Sequence, residues 1–132
     1  MSLVATPIYA ALLAFVLIFL SLRVIRTRRT AKVALGDGGD AALLRASRAQ
    51  ANFAEYVPMA LVLMGCAELQ GAPVLAVHGL GLVLLAGRLV HAYGVSQAEE
   101  DYRFRVRGMQ LTFLSIVSAA VLILVQAVLP LL

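Results

Sequence analysis

One stretch of the sequence sets side chains that could bind a small anion along a single helical face. Arg48, Asn52 and Glu55 stand at i, i+4 and i+7, which brings them to one side of an α-helix. Arg45 and Tyr56 lie within about one turn of that stripe. Polar groups at bilayer depth are costly and are tolerated mainly where they face a partner or a ligand. Two guanidinium groups beside an amide therefore indicate an anionic ligand.

The elements that must position these residues are membrane helices. The chain has 132 residues, 62% of them hydrophobic, and a mean hydropathy of +0.94, which is far more apolar than a soluble domain of this length. We predict an all-α integral membrane four-helix bundle that forms one domain over residues 1–132 and contains no soluble domain. The helices are predicted at about 3–29, 41–70, 73–95 and 102–130.

The charge distribution predicts the orientation in the membrane. All eleven Lys and Arg residues fall at or toward one side, around the first and third loops. By the positive-inside rule these loops are cytoplasmic, and both termini lie on the non-cytoplasmic side. The apolar run Leu3–Leu22 has no basic residue before it and five soon after it, the reverse of a signal peptide, so we predict a retained helix. We expect a multi-pass protein of a bacterial inner membrane, with its anion-binding side cytoplasmic.

Helices two and three are joined by a very short turn, so distance from Gly71 measures depth along both. Glu55 and Arg88 then lie at nearly the same height, which predicts an ion pair. Asn52 and His91 match in the same way and predict a polar layer one turn further toward the basic loops. For Arg88, a purely structural clamp and direct contact with a ligand are both open, because a buried arginine needs an acceptor in either case.

Helix four adds basic residues at the same end of the bundle. Arg103 and Arg107 stand at i, i+4 where this helix begins. Three helices therefore bring basic groups to one height, which predicts a shared anion-binding cleft at the cytoplasmic face. A lipid phosphate is an alternative occupant of such a cleft.

The motif Arg48-Ala-Gln-Ala-Asn52-Phe-Ala-Glu55-Tyr56-Val-Pro58 resembles the signature of the MAPEG family, the membrane-associated proteins in eicosanoid and glutathione metabolism. Residues 87–94 resemble the third-helix motif of that family, and residues 103–108 resemble the entry to its fourth helix. The resemblance covers nearly the whole chain. It implies a homotrimer in which glutathione binds between neighbouring subunits near the cytoplasmic side, while a lipophilic small-molecule electrophile arrives through the bilayer.

The resemblance also implies roles for individual residues. Arg107 is the first candidate, and Arg103 the second, for an arginine that stabilises the glutathione thiolate. Only the thiolate is a good nucleophile, and an adjacent guanidinium lowers the pKa of a thiol. The full set of predicted glutathione-binding residues is Arg45, Arg48, Asn52, Glu55, Tyr56, Arg88 and His91, and the predicted catalytic residues are Arg107 and Arg103.

These residues predict a glutathione S-transferase-like or peroxidase enzyme of detoxification, with no metal site and no nucleic-acid partner. Several eicosanoid-processing members carry a tyrosine about one turn after the position of His91. Here Val95 stands there and Tyr93 points away, which argues against an eicosanoid substrate. One alternative is a non-catalytic member of the family that holds a lipid headgroup. The other, a multidrug exporter, requires a carboxylate in the first helix, and residues 3–22 contain none.

Overall fold

The computed structural model describes residues 2–129 and forms four α-helices. Every described helix end lies within two residues of its predicted position, and the predicted last residue of the fourth helix, 130, lies outside the described residues. No strand occurs between residues 2 and 129, which confirms the all-α prediction. The helices are α1 (Ala5–Ala31), α2 (Ala41–Leu69), α3 (Val74–Ser96) and α4 (Tyr102–Val128).

Three of these helices, α1, α3 and α4, are long and apolar enough to cross a membrane. The remaining helix, α2, has 29 residues but is not among them, and Arg45, Arg48, Glu55 and Glu68 lie along it. It packs against all three of the others. The bundle is therefore an integral membrane protein whose least apolar helix contacts every other helix.

The short connections set the helix pairing. Asp40 caps α2, because its carboxylate accepts a hydrogen bond of 2.8 Å from the backbone N–H of Leu43. At the other end of α2, Gly71 takes a φ of 91°, a left-handed conformation that suits glycine. The N–H of Ala72 then donates to the carbonyl of Ala67 at 3.0 Å and ends the helix. This turn returns the chain as α3, antiparallel to α2.

Glycines let α3 and α4 approach one another closely. A Cβ atom added at Gly108 of α4 would lie 2.5 Å from the backbone nitrogen of His91, far inside van der Waals contact. A Cβ added at Gly94 of α3 would lie 2.9 Å from the backbone nitrogen of Arg105. Both contacts involve residues at the basic end of the bundle, so this packing fixes the height of α4 against α3 there.

The opposite end of the bundle is held by Glu68, a residue that the sequence prediction did not single out. Its side chain is 5% exposed and points at the start of α1. The carboxylate accepts hydrogen bonds of 2.7 Å from the N–H groups of Val4 and Ala5, and of 2.8 Å from that of Thr6. The first turn of a helix has N–H groups without intrahelical partners, and an acid there also meets the positive end of the helix dipole. Glu68 thus joins the end of α2 to the beginning of α1.

Candidate functional site

A cavity of about 400 Å³ opens at the end of the bundle that carries the first and third loops. Residues from α2, α3, α4 and the third loop contribute to its wall, and we call it the arginine cavity. Three guanidinium groups face one carboxylate, so the cavity carries an excess of positive charge. The polar residues that line it are Arg45, Arg48, Asn52, His91, Glu100 and Arg105.

Arg88 lies directly behind the inner wall of this cavity and is 0% exposed. Its Nη2 donates a hydrogen bond of 2.7 Å to the Oδ1 of Asn52 and lies 3.3 Å from the Nδ1 of His91. Its Nη1 donates to the Oγ1 of Thr112 on α4 at 3.3 Å. The guanidinium carbon lies 5.8 Å from the centre of the Phe53 ring, within the range of a cation–π contact. One buried arginine therefore ties α2, α3 and α4 together.

The predicted ion pair between Glu55 and Arg88 is wrong. The Glu55 carboxylate lies 3.8 Å from the guanidinium of Arg48, and both side chains are more than half exposed, at 51% and 58%. Three residues turn an α-helix by about 300°, so Glu55 is rotated about 60° away from the direction in which Asn52 meets α3. Asn52 takes the place predicted for the carboxylate, and the predicted layer of Asn52 and His91 forms through Arg88.

On α4, the structure brings Arg105 to the cavity rather than the two predicted catalytic arginines. Arg103 turns back toward the loop, where its Nε lies 3.1 Å from the Asp101 carboxylate. Hydrogen bonds from the backbone N–H and the side chain of Arg103 hold the pKa of Asp101 below its usual value, so this carboxylate is ionised at neutral pH. Arg105 lies 3.5 Å from Glu100. Arg107 is exposed and does not line the cavity of its own chain.

The tyrosines of the motifs lie outside the cavity. Tyr56 packs edge-to-face against Phe113 of α4, with ring centroids 5.5 Å apart. Val95, which stands one turn after His91, lines the cavity. Tyr93 is exposed and packs edge-to-face against Phe104, with ring centroids 5.4 Å apart. No tyrosine hydroxyl among the described residues is thus presented to the arginine cavity.

Of the predicted residues, the structure brings four together at the cavity: Arg45, Arg48, Asn52 and His91. Arg88 lies behind them, and Glu55 lies beside Arg48. The sequence prediction missed Arg105, although a signal for it was present. Arg105, Gly108 and Thr112 stand at i, i+3 and i+7 and so share one face of α4. Gly108 is the residue that touches α3, which identifies that face as the inward one.

Comparison with known proteins settles the family. The sequence model of the MAPEG family matches residues 6–125 of the chain. The chain belongs to the MAPEG family. It is also 44% identical over 108 residues to two proteins that are both named inner membrane protein YecN, one from Escherichia coli strain K12 and one from Escherichia coli O6:H1 strain CFT073. These matches cover 82% of this chain and 81% of each relative. The names of these MAPEG relatives give a membrane location and no reaction.

Proposed function

We propose that this MAPEG protein is a membrane-embedded, glutathione-dependent transferase or peroxidase. In this proposal the arginine cavity holds glutathione, and an arginine stabilises the thiolate that attacks a lipophilic electrophile or hydroperoxide. The observation that carries the proposal is the excess of guanidinium groups in a cavity of about 400 Å³ at the polar end of a membrane bundle. Family membership supports it, because glutathione chemistry is typical of MAPEG proteins.

The polar groups of the cavity fit this ligand. Glutathione has two carboxylates, one ammonium group and one thiol. Arg45 and Arg48 offer the bidentate donors that carboxylates prefer. Glu100 offers an acceptor for the ammonium group. A volume of about 400 Å³ lies within the range of about 300 to 1,000 Å³ that is common for small-ligand sites.

The buried charge of Arg88 adds to the attraction for an anion. Among the described residues, no carboxylate lies within salt-bridge distance of its guanidinium group. Its Nε is buried and makes no hydrogen bond within residues 2–129. A buried positive charge without a carboxylate partner raises the electrostatic potential of the space beside it. That space is the arginine cavity.

Arg105 is the arginine of the chain's own cavity that we assign to the thiolate. It lines the cavity from α4, so its guanidinium group stands opposite the arginines of α2. Beside the sulfur, in a site that a neighbouring subunit would shield from water, it would lower the pKa of the thiol and stabilise the thiolate. Arg107 and Arg103 keep the role that the family resemblance implies only if they reach the cavity of a neighbouring subunit.

A homotrimer is part of the proposal. The exposed side chains of Arg48 and Glu55 lie on α2, the helix that is not apolar enough to face lipid alone. Such groups at membrane depth are stable when a protein surface or a ligand covers them. A neighbouring subunit seated on α2 would cover this stripe and enclose the cavity. In this arrangement the cavity faces the cytoplasm, because the arginine-rich ends of α1, α2 and α4 lie at its end of the bundle.

A non-catalytic role in binding a lipid headgroup is the second candidate. It is favoured by the position of the cavity, which opens at the end of the bundle where the basic ends of α1, α2 and α4 lie. Phospholipid phosphate and glutathione carboxylates would meet the same guanidinium groups. Native mass spectrometry of the purified protein separates the two, because retained phospholipid that added glutathione does not displace would favour the headgroup.

The test of the proposed enzyme is glutathione binding and conjugation in nanodiscs. Isothermal titration with glutathione, and conjugation to an activated aryl chloride, should both be measurable for the wild-type protein. Arg105→Gln should lower the conjugation rate by about a hundredfold, as expected for the loss of one stabilising contact to a developing or full anion. Arg29→Gln is the matched control, because Arg29 is exposed at the end of α1 and does not line the cavity. Absence of heat and of product with the wild type would refute the proposal.

A further inference from the structure

Arg88 requires that every polar neighbour within hydrogen-bond distance be an acceptor. An arginine side chain has five N–H donors and no acceptor. Every polar atom at hydrogen-bond distance from it must therefore accept. Three such atoms belong to residues that line the arginine cavity: the Oδ1 of Asn52 at 2.7 Å, the Nδ1 of His91 at 3.3 Å and the thioether sulfur of Met109, a weak acceptor, at 3.7 Å.

For Asn52, this contact fixes which end of the amide faces inward. An NH₂ group at 2.7 Å from the guanidinium would set donor against donor, so the atom there has to be the carbonyl oxygen. The NH₂ group then occupies the other branch of the amide. Within residues 2–129 the Nδ2 atom has no hydrogen-bond partner, and it is not among the fully buried unpartnered atoms. It is consequently accessible from the cavity that Asn52 lines.

For His91, the same contact fixes the tautomer. The Nδ1 atom needs a lone pair to accept from Arg88, so the proton of the neutral imidazole is on Nε2. The side chain is almost fully buried, at 3% exposure, and lines the cavity. Its Nε2 has no partner in the described part of the chain and is not among the enclosed unpartnered atoms either. Nε2–H is therefore a second donor at the cavity wall.

We propose that Arg88 is a positioning residue that makes the two polar residues of the inner wall, Asn52 and His91, present N–H donors to the arginine cavity. Asn52 offers Nδ2–H and His91 offers Nε2–H, while Arg88 engages the one lone pair of the His91 Nδ1 and one of the two lone pairs of the Asn52 Oδ1. Such a wall accepts a carboxylate and rejects groups that can only donate, such as an ammonium. The inference deepens the proposed function, on which it rests for the ligand, by assigning a glutathione carboxylate to this wall and the ammonium group to the opposite side, near Glu100.

The tautomer of His91 is the first test, and it requires no ligand. The chain has two histidines, so a sample labelled with ¹⁵N-histidine contains two imidazoles, and His78→Gln assigns the spectrum. A ring nitrogen that lacks a proton resonates far downfield of one that carries it. The proposal expects an unprotonated Nδ1 and a protonated Nε2 for His91 in nanodiscs. A protonated Nδ1, in either the other tautomer or the imidazolium, would overturn it.

Two substitutions of Arg88 separate positioning from simple packing. Arg88→Lys keeps a positive side chain that can only donate, so the Nε2–H tautomer should be retained. Arg88→Met removes the donors while filling similar space, so His91 should become a mixture of tautomers. Equal spectra for the methionine variant and the wild type would contradict the assigned role. If the methionine variant does not fold, the wild-type and lysine spectra still decide.

The second test replaces the amide of Asn52. Asn52→Asp keeps the acceptor toward Arg88, now charge-assisted, but exchanges the cavity-facing donor for an acceptor. The protein should stay folded, while its affinity for glutathione should fall by at least about tenfold. Gln50→Glu makes the same amide-to-carboxylate change on α2 outside the cavity and controls for added charge. Equal affinity losses for both variants would count against a specific donor at Asn52.

The outcomes for the two proposals are distinguishable. A wild-type protein that shows the Nε2–H tautomer but binds no glutathione would refute the proposed function and leave the donor wall in place. A protein that binds glutathione while His91 carries its proton on Nδ1 would support the proposed function and refute the donor role of His91. Glutathione monoethyl ester adds a third probe, because masking the glycine carboxylate should weaken binding if that carboxylate meets the wall.

Discussion

The contact between Glu68 and the start of α1 allows a prediction whose size can be worked out from the structure. The substitution Glu68→Ala removes all three acceptor contacts to the N–H groups of Val4, Ala5 and Thr6. Val4 is half exposed, so water can replace its bond. Ala5 and Thr6 are buried, and each buried N–H that loses its acceptor costs about 1 to 3 kcal/mol. We expect Glu68→Ala to lower the free energy of unfolding by about 4 kcal/mol.

A glutamine at this position gives a graded comparison. Glu68→Gln has one carbonyl oxygen, which can keep the two bonds now made by Oε1, while its NH₂ group faces the N–H of Thr6. Glu68→Gln should lower the free energy of unfolding by about 2 kcal/mol, half the loss expected for Glu68→Ala. For a chain of 132 residues, with about 4 °C of melting temperature per kcal/mol, the losses are about 16 °C for alanine and about 8 °C for glutamine.

The assay for these variants is the temperature at which half of the monodisperse size-exclusion peak is lost from heated, detergent-solubilised protein. This readout suits a chain without tryptophan. Glu99→Gln, the same chemical change at an exposed acid of the third loop, should leave that temperature unchanged. Glu68 variants that lose their peak within about 2 °C of the wild type would refute the reasoning, since the carboxylate would then contribute almost no free energy.

Three further predictions concern the basic end of the bundle. Gly108→Ala should separate α4 from α3, because its Cβ would lie 2.5 Å from the backbone nitrogen of His91. The free energy of unfolding should fall by about 1 to 3 kcal/mol, and glutathione binding should weaken. Gly79→Ala is the control, because its Cβ meets open space in α3, and it should be neutral or slightly stabilising by the same thermal assay. The double variant Arg45→Gln/Arg48→Gln should lower the affinity for glutathione by at least about tenfold. In titrations at low and high ionic strength, this affinity should also depend less on salt than that of the wild type. An unchanged salt dependence would contradict ionic contacts at the cavity. Folding lowers the pKa of Asp101, so its stabilisation of α4 should be complete above the unfolded pKa and should be lost as the pH falls through the folded pKa. Asp101→Asn should remove this loss at acid pH from a plot of melting temperature against pH. The same plot for the variant and the wild type would contradict the assignment.

The helices could be predicted closely because hydropathy and turn residues act locally. An apolar run of membrane length has few alternatives to a helix, and Asp40 and Gly71 end or begin helices through contacts within a few residues. Counting from Gly71 also brought Asn52 and His91 to one height, since a tight turn leaves little freedom in the register of α2 and α3. Where two helices are joined by a short turn, the sequence is sufficient to predict which of their residues lie at the same height.

The choice among side chains at one height could not be predicted in the same way. The direction of Glu55 relative to Asn52 depends on the rotation of α2 about its axis, and that rotation is set by packing against three other helices. The same holds for α4, where contact between Gly108 and His91 turns Arg105 rather than Arg107 inward. Glu68 was missed because its partners are backbone N–H groups more than 60 residues away, which no side-chain motif records.

The most direct test of the central claim is the ultraviolet difference spectrum of the protein in nanodiscs titrated with glutathione at neutral pH. If Arg105 and its neighbours hold the sulfur as an anion, thiolate absorbance should rise and saturate, and it should be abolished by Arg105→Gln but not by Arg29→Gln. S-methylglutathione, which cannot ionise at sulfur, should give no rise. A wild-type spectrum without thiolate absorbance at saturating glutathione, or an equal rise in Arg105→Gln, would contradict the account.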